Sequence, residues 1–135
     1  MTIFKSEITI KVPFFDNDPM GIVWHGNYIK YLEIARCDMF DKIGYNYIAM
    51  KEDGLSYPLA KMDFKFISPA TFNQELKIVT TLEEIEPALI IRYEIVDFMT
   101  GKKIFKAKSM QIRVNIDNGK SEYFAPIKLK ELLNV

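Results

Sequence analysis

Between residues 14 and 36 the chain reads FFDNDPMGIVWHGNYIKYLEIAR, a stretch that holds its only His, its only Trp, two carboxylates two positions apart and two glycines. Asp16 to His25 leads into a helical pattern starting near Gly26 or Asn27, so Asp18 stands in a connection just before a helix N-terminus. Such a terminus offers unpaired backbone N–H groups and the positive end of the helix dipole. Both favour a carbonyl oxygen that is gaining negative charge. A carboxylate beside these donors is a minimal site for acyl transfer, with the donors holding the oxyanion and the carboxylate activating water or attacking the carbonyl. The inventory suits a thioester better than an amide, because a thiol with a pKa near about 8.5 leaves without a dedicated general acid.

Other chemistries find little support. The chain has no Ser elbow, P-loop or GxGxxG fingerprint, and one His with Cys37 does not make a zinc site. Asp16, Asp18 and His25 form at most a weak metal-ligand set. On composition alone Asp18 is a catalytic carboxylate or a turn residue, His25 a site residue or a structural hydrogen-bonding group, and Trp24 a substrate wall or core.

The elements that would position this loop follow from periodicity. Ile8, Ile10, Val12 and Phe14 alternate with polar residues over 7–15 and give strand one. The same period marks strands two to four at Met62 to Phe66, Leu76 to Leu82 and Leu89 to Ile95. A fifth strand follows the MTGKK turn, with a phase change from Phe105 and Ala107 to Met110, Ile112, Val114 and Ile116 that predicts a bulge near Lys108 or Ser109. DNGK at 117–120 is a turn, and APIKLKELL is a short terminal helix with Pro126 at its first position. The one long helical pattern runs from about Asn27 to Ile43, stopped by Gly44, with apolar residues on more than one face and surface pairs Glu33–Arg36 and Asp38–Lys42. One strand, a greasy helix and four more strands describe an α+β domain.

At 135 residues the chain has room for a single domain. Its 18 basic residues balance 18 acidic ones, so no overall field draws nucleic acid or an anionic membrane. A lone Cys37 and a start without a long apolar run lead to the expectation of a reduced, cytoplasmic setting with no membrane insertion.

The motif Asp16, Asp18, Gly21, Ile22, Val23, Trp24, His25 and Tyr28, continuing into YLEIAR, resembles that of the 4-hydroxybenzoyl-CoA thioesterase family of hotdog proteins, which includes acyl-CoA thioesterases encoded with the Tol-Pal system. Residues 58–85, with SPA at a turn, also resemble the family's next two strands. This resemblance implies a hotdog fold, a five-stranded antiparallel sheet wrapped around one long central helix. It implies hydrolysis of an acyl-CoA or acyl-carrier-protein thioester without a cofactor or metal, with Asp18 as nucleophile or general base. The His25 backbone N–H would face the thioester oxygen and the His25 ring is a second candidate, with Gly21, Trp24, Tyr28, Leu59 and Ser68 as oxyanion or substrate contacts. Subunits would pair edge to edge as a homodimer or homotetramer, placing each site between chains, with Tyr57 to Leu59 and Ser68 to Thr71 as the partner's wall. Arg92, Lys102, Lys103, Lys106, Lys108 and Arg113 are candidates for the phosphates of coenzyme A. Met20 departs from the small residue usual before the glycine and bears on acyl size. A hotdog dehydratase acting on hydroxyacyl thioesters and a non-catalytic acyl-thioester binding module are the alternative readings.

Overall fold

A computed structural model describes residues 2–135. The elements in chain order are β1 (Phe4–Lys11), a 3-10 turn (Phe14–Asp16), α1 (His25–Ile43), α2 (Tyr47–Glu52), β2 (Leu55–Ser56), β3 (Leu59–Phe66), β4 (Glu75–Glu84), β5 (Leu89–Asp97), β6 (Lys103–Gln111), β7 (Arg113–Asn115), β8 (Ser121–Glu122) and α3 (Ile127–Leu133). An antiparallel five-stranded sheet has the order β1-β4-β5-β6-β3, and a small three-stranded sheet has the order β2-β7-β8. The α+β class and the five strands match expectation. α1 is accompanied by two short helices, so the chain is not built on a single helix. No described helix is long and apolar enough to cross a membrane.

α1 buries Tyr28, Tyr31, Leu32, Ala35, Met39, Phe40 and Ile43 in one cluster with Leu76, Ile78, Leu82, Leu89, Ile91, Tyr93, Ile95 and Phe105 of the sheet. The period of 3.6 on the helix meets the period of two on the strands, and both stripes leave water together. Gly44 ends α1 with φ 88°, in the left-handed region, and a methyl there would sit 3.5 Å from Leu132 of α3. Gly44→Ala is therefore expected to cost about 1 to 2 kcal/mol, from forcing an L side chain into that region. A shift of the urea midpoint checks it.

Several boundaries move, each for a physical reason. Strand one stops at Lys11 because Pro13 cannot donate to a ladder, and Phe14, expected in its pattern, is 73% exposed on the 3-10 turn. α1 starts at His25, two residues earlier than Asn27; Trp24 caps it with extended backbone and no side-chain hydrogen bond, which leaves little sequence signal. α2, of six residues, is too short to show a helical period in the sequence, although Asn46 is a good cap whose side chain accepts from Ala49 N at 3.0 Å. Pro126 proves to be the cap of α3 rather than its first residue.

The bulge near Lys108 or Ser109 is absent: Arg92, Ile91 and Ile90 pair in regular order with Lys108, Ser109 and Met110. The register instead slips between Ile95 and Val96, across Ile104, and on the other side of β6 between Leu59 and Lys61, opposite Gln111 and Met110. What looked like a phase change is a buried face that turns polar, since Ser109, Gln111 and Arg113 keep the phase of Phe105 and Ala107. Each finds a partner. Ser109 bonds Tyr93 OH at 2.9 Å, Gln111 donates to Tyr57 O at 2.9 Å, and Arg113 donates to Tyr57 OH at 3.1 Å and Ile85 O at 2.8 Å. Arg113 is 1% exposed with its guanidinium over the Tyr57 ring, so it is a core residue and not a contact for coenzyme A phosphates.

Candidate active site

Asp16 and Asp18, two residues apart, have separate tasks. Asp16 is 2% exposed and clamps the loop onto α1: its carboxylate accepts from Lys30 Nζ at 2.7 Å and Tyr31 OH at 2.6 Å. Its backbone carbonyl accepts from Trp24 N at 3.1 Å and Asn27 Nδ2 at 2.9 Å. Burial alone would push this carboxyl up, but the hydrogen bonds from Lys30 and Tyr31 and the Lys30 charge prevail and hold it below its ordinary value. The same contact joins burial in pushing the Tyr31 phenol up. Each Asp16 oxygen is engaged by a side chain of α1, and no cluster of three ligand-type side chains occurs among the described residues.

Asp18 occupies the tip of a small hairpin closed by the Asn17–Val23 bridge, with Asp18 N donating to Ile22 O at 2.7 Å. Its Oδ1 accepts from Met20 N at 2.8 Å and more weakly from Ile22 N at 3.4 Å. Oδ2 takes no hydrogen bond from the described residues. One oxygen is anchored and the other is free to act. Gly21 makes this turn with φ 80°, a backbone state that explains the residue type without invoking substrate contact.

The loop is also tied to the turn after β3. Val23 N donates to Ala70 O at 2.8 Å, Ile22 bridges Thr71, and Tyr28 OH accepts from Ala70 N at 3.0 Å. Ala70 and Thr71 thus flank the loop of their own chain. Tyr28 is 3% exposed and stacked on Phe105 at 4.9 Å, a support beneath the site. Ser68 Oγ donates to Lys103 O at 2.7 Å. Removing only the Tyr28 hydroxyl, in Tyr28→Phe, is expected to cost about 1 to 2 kcal/mol by leaving the Ala70 N–H unpaired. Thermal unfolding of the two proteins measures it.

At the helix start, the N–H groups of His25 and Gly26 have no hydrogen-bond partner among the described residues. The rings of Trp24 and His25 lie 5.2 Å apart, and His25 meets Phe66 edge-on at 6.3 Å. The His25 ring sits among aromatics and makes no recorded hydrogen bond. Phe64 and Phe66 lie on the helix side of β3, the edge strand, yet are 40% and 57% exposed.

Leu59 stands at the other end of β3, paired with Gln111. There it belongs to a cavity of about 670 Å³ between the second half of α1, α2 and residues 55–59, walled by Arg36, Cys37, Phe40, Met50, Tyr57 and Leu59 among others. Neither Asp18 nor His25 is among its walls. Of the basic residues, Arg92 pairs with Glu83 at 2.7 Å, Lys103 and Lys106 share Glu94 at 3.9 and 3.7 Å, and Lys102 stays exposed.

Comparisons with known proteins show the family. The family model of the thioesterase-like superfamily matches residues 12–132. The chain is 28% identical to the acyl-CoA thioesterase YbgC of Helicobacter pylori, over 92% of this chain and 96% of that protein. It is 26% identical to the putative acyl-CoA thioesterase YneP of Bacillus subtilis, over 97% and 90% of the two chains. The structure of 4-hydroxybenzoyl CoA thioesterase from Pseudomonas sp. strain CBS-3 superposes with a TM-score of 0.82 at 23% identity, over 96% of this chain and 99% of that one. With a family model matched nearly end to end, the chain belongs to the thioesterase-like superfamily.

Proposed function

We propose that the protein hydrolyses an acyl thioester of coenzyme A, or of a carrier protein with the same pantetheine arm, to a free acid and a thiol. The observation that carries this reading is the pairing of Asp18, fixed through Oδ1 and free at Oδ2, with the unpaired N–H groups that begin α1 a few residues later. A carbonyl oxygen seated on the N–H of His25 would gain negative charge where the helix dipole favours it. Asp18 then either takes a proton from an attacking water or adds to the carbonyl itself and is released by water. In both routes the C–S bond breaks and the sulfur leaves as a thiolate. Hydrolase names carried by relatives such as YbgC support the same reaction.

The acyl pocket in this reading is completed by a second copy. β3 is an edge strand whose open side displays Phe64 and Phe66. Antiparallel pairing of two β3 strands, each about 23 Å long at 3.3 Å per residue, would bring Leu59 of one chain opposite Phe66 of the other. The cavity of one chain would then adjoin the Asp18 hairpin of its partner. With Arg113 in the core, Arg92, Lys102, Lys103, Lys106 and Lys108 remain as cations for the phosphates of coenzyme A, with Lys102 and Lys103 at the end of the sheet nearest Ser68.

Release of free thiol, followed across short, long and aromatic acyl-CoAs, tests the proposal. Turnover of one class well above the spontaneous rate is expected. A folded protein that releases thiol from none of them would overturn it.

A further inference from the structure

At the start of α1 the indole of Trp24 rests directly on the α-carbon of Gly26. A methyl group at position 26 would fall inside the van der Waals envelope of three indole atoms, Cε3, Cζ3 and Cη2. Gly26 is not in a left-handed conformation, and as a helix residue it is costly relative to Ala. Its use is therefore explained by the ring above it rather than by backbone geometry.

The ring is not held there by deep packing. Trp24 is 52% exposed, and among the described residues the one aromatic ring it pairs with is that of His25, at 5.2 Å. The backbone of Trp24 is fixed, by its N–H to Asp16 O at 3.1 Å and by Val23 N to Ala70 O at 2.8 Å. A fixed backbone with a half-exposed ring leaves the side-chain torsions as the free motion. That motion sweeps the surface beside the N–H groups of His25 and Gly26.

We propose that Trp24 is a swinging cover over the oxyanion donors, and that Gly26 exists to let it close. In the closed position the indole lies on Gly26, where a Cβ would meet it, at the first turn of α1. A thioester whose oxygen reaches the N–H of His25 or Gly26 carries its sulfur or acyl arm across residue 26, so the indole must turn aside. It then stands at the rim as a wall for the bound chain. Trp24 acts as a positioning residue, and its closed state lowers apparent affinity by the fraction of time it occupies the site. This inference rests on the thioesterase reading.

Because Trp24 is the only tryptophan, its emission reports the cover alone. The probe is a ketone analogue of the best acyl-CoA substrate, in which a methylene stands between sulfur and carbonyl so that no thiol can leave. Calorimetry measures binding while fluorescence follows Trp24. In the wild-type protein, saturation with the analogue is expected to change the emission clearly. In Gly26→Ala, the emission of the free protein should already be altered, and the analogue should bind several-fold more tightly because the closed state is gone. A merely structural contact predicts the reverse, with weaker binding. Binding to the wild-type protein without any change in emission would overturn the cover and leave the thioesterase reading standing, as would weaker binding to the Gly26→Ala protein. No binding of the analogue to either protein would overturn both.

Discussion

Asp18→Asn is expected to lower kcat for thiol release by about a thousandfold, a rise of about 4 kcal/mol in the barrier, while the unfolding transition stays in place. The asparagine carbonyl oxygen can still accept from Met20 N and Ile22 N, the two bonds that Asp18 Oδ1 makes, so the hairpin keeps its shape. What is lost is the charge on Oδ2. An amide neither removes a proton from water nor adds to a thioester carbonyl at a useful rate, whichever of the two routes applies. KM should change little, because the donors at His25 and Gly26 are untouched. Steady-state thiol detection with a parallel circular-dichroism melt separates the two effects. A variant with near-native kcat would reduce Asp18 to a turn residue and favour an acyl-thioester binding module.

Much of the sheet is legible in the sequence because alternation and burial obey the same rule there. Leu76, Ile78, Leu82, Leu89, Ile91 and Ile95 are apolar at every second position and lie in the core. The rule fails where the core is polar. Ser109, Gln111 and Arg113 occupy buried positions because Tyr93, Tyr57 and Ile85, distant in sequence, offer them partners, and no local pattern announces such partners. It fails in the opposite sense on β3, where Phe64 and Phe66 read as a buried stripe but stand exposed in one chain. Apolar residues on an open edge alternate in the same way as core residues, so periodicity alone does not separate the two. The site divides in the same manner. The loop and an approximate helix start follow from spacing, and Asp18 is singled out by the resemblance of its motif, whereas the assignment of Asp16 depends on Lys30 and Tyr31 turning back from the second turn of α1.

That clamp carries the second large effect. Asp16→Ala is expected to cost about 2 to 3 kcal/mol, since it strips a buried phenol of its acceptor and a lysine of its charge-assisted partner. The figure sits below that for a fully buried ion pair, because Lys30 is 45% exposed and regains water when released. The sign of the pH dependence follows from the lowered native pKa of Asp16. Unfolded, this carboxyl titrates near its ordinary value of 3.8; folded, it titrates lower. Its contribution is therefore complete above the unfolded value and is lost as the pH falls from there through the native one. The gap in urea midpoint between the wild-type protein and Asp16→Ala should be widest near neutrality and should narrow in acid, once the wild-type carboxyl is protonated as well. A gap that stays constant down to the acid limit would mean that shape, and not charge, holds the loop. Because the Asp16 carbonyl also receives Trp24 N and Asn27 Nδ2, loosening this residue displaces the start of α1 together with the hairpin. Activity should then fall before the chain unfolds, since a reacting group misplaced by about 1 Å can cost on the order of a hundredfold in rate.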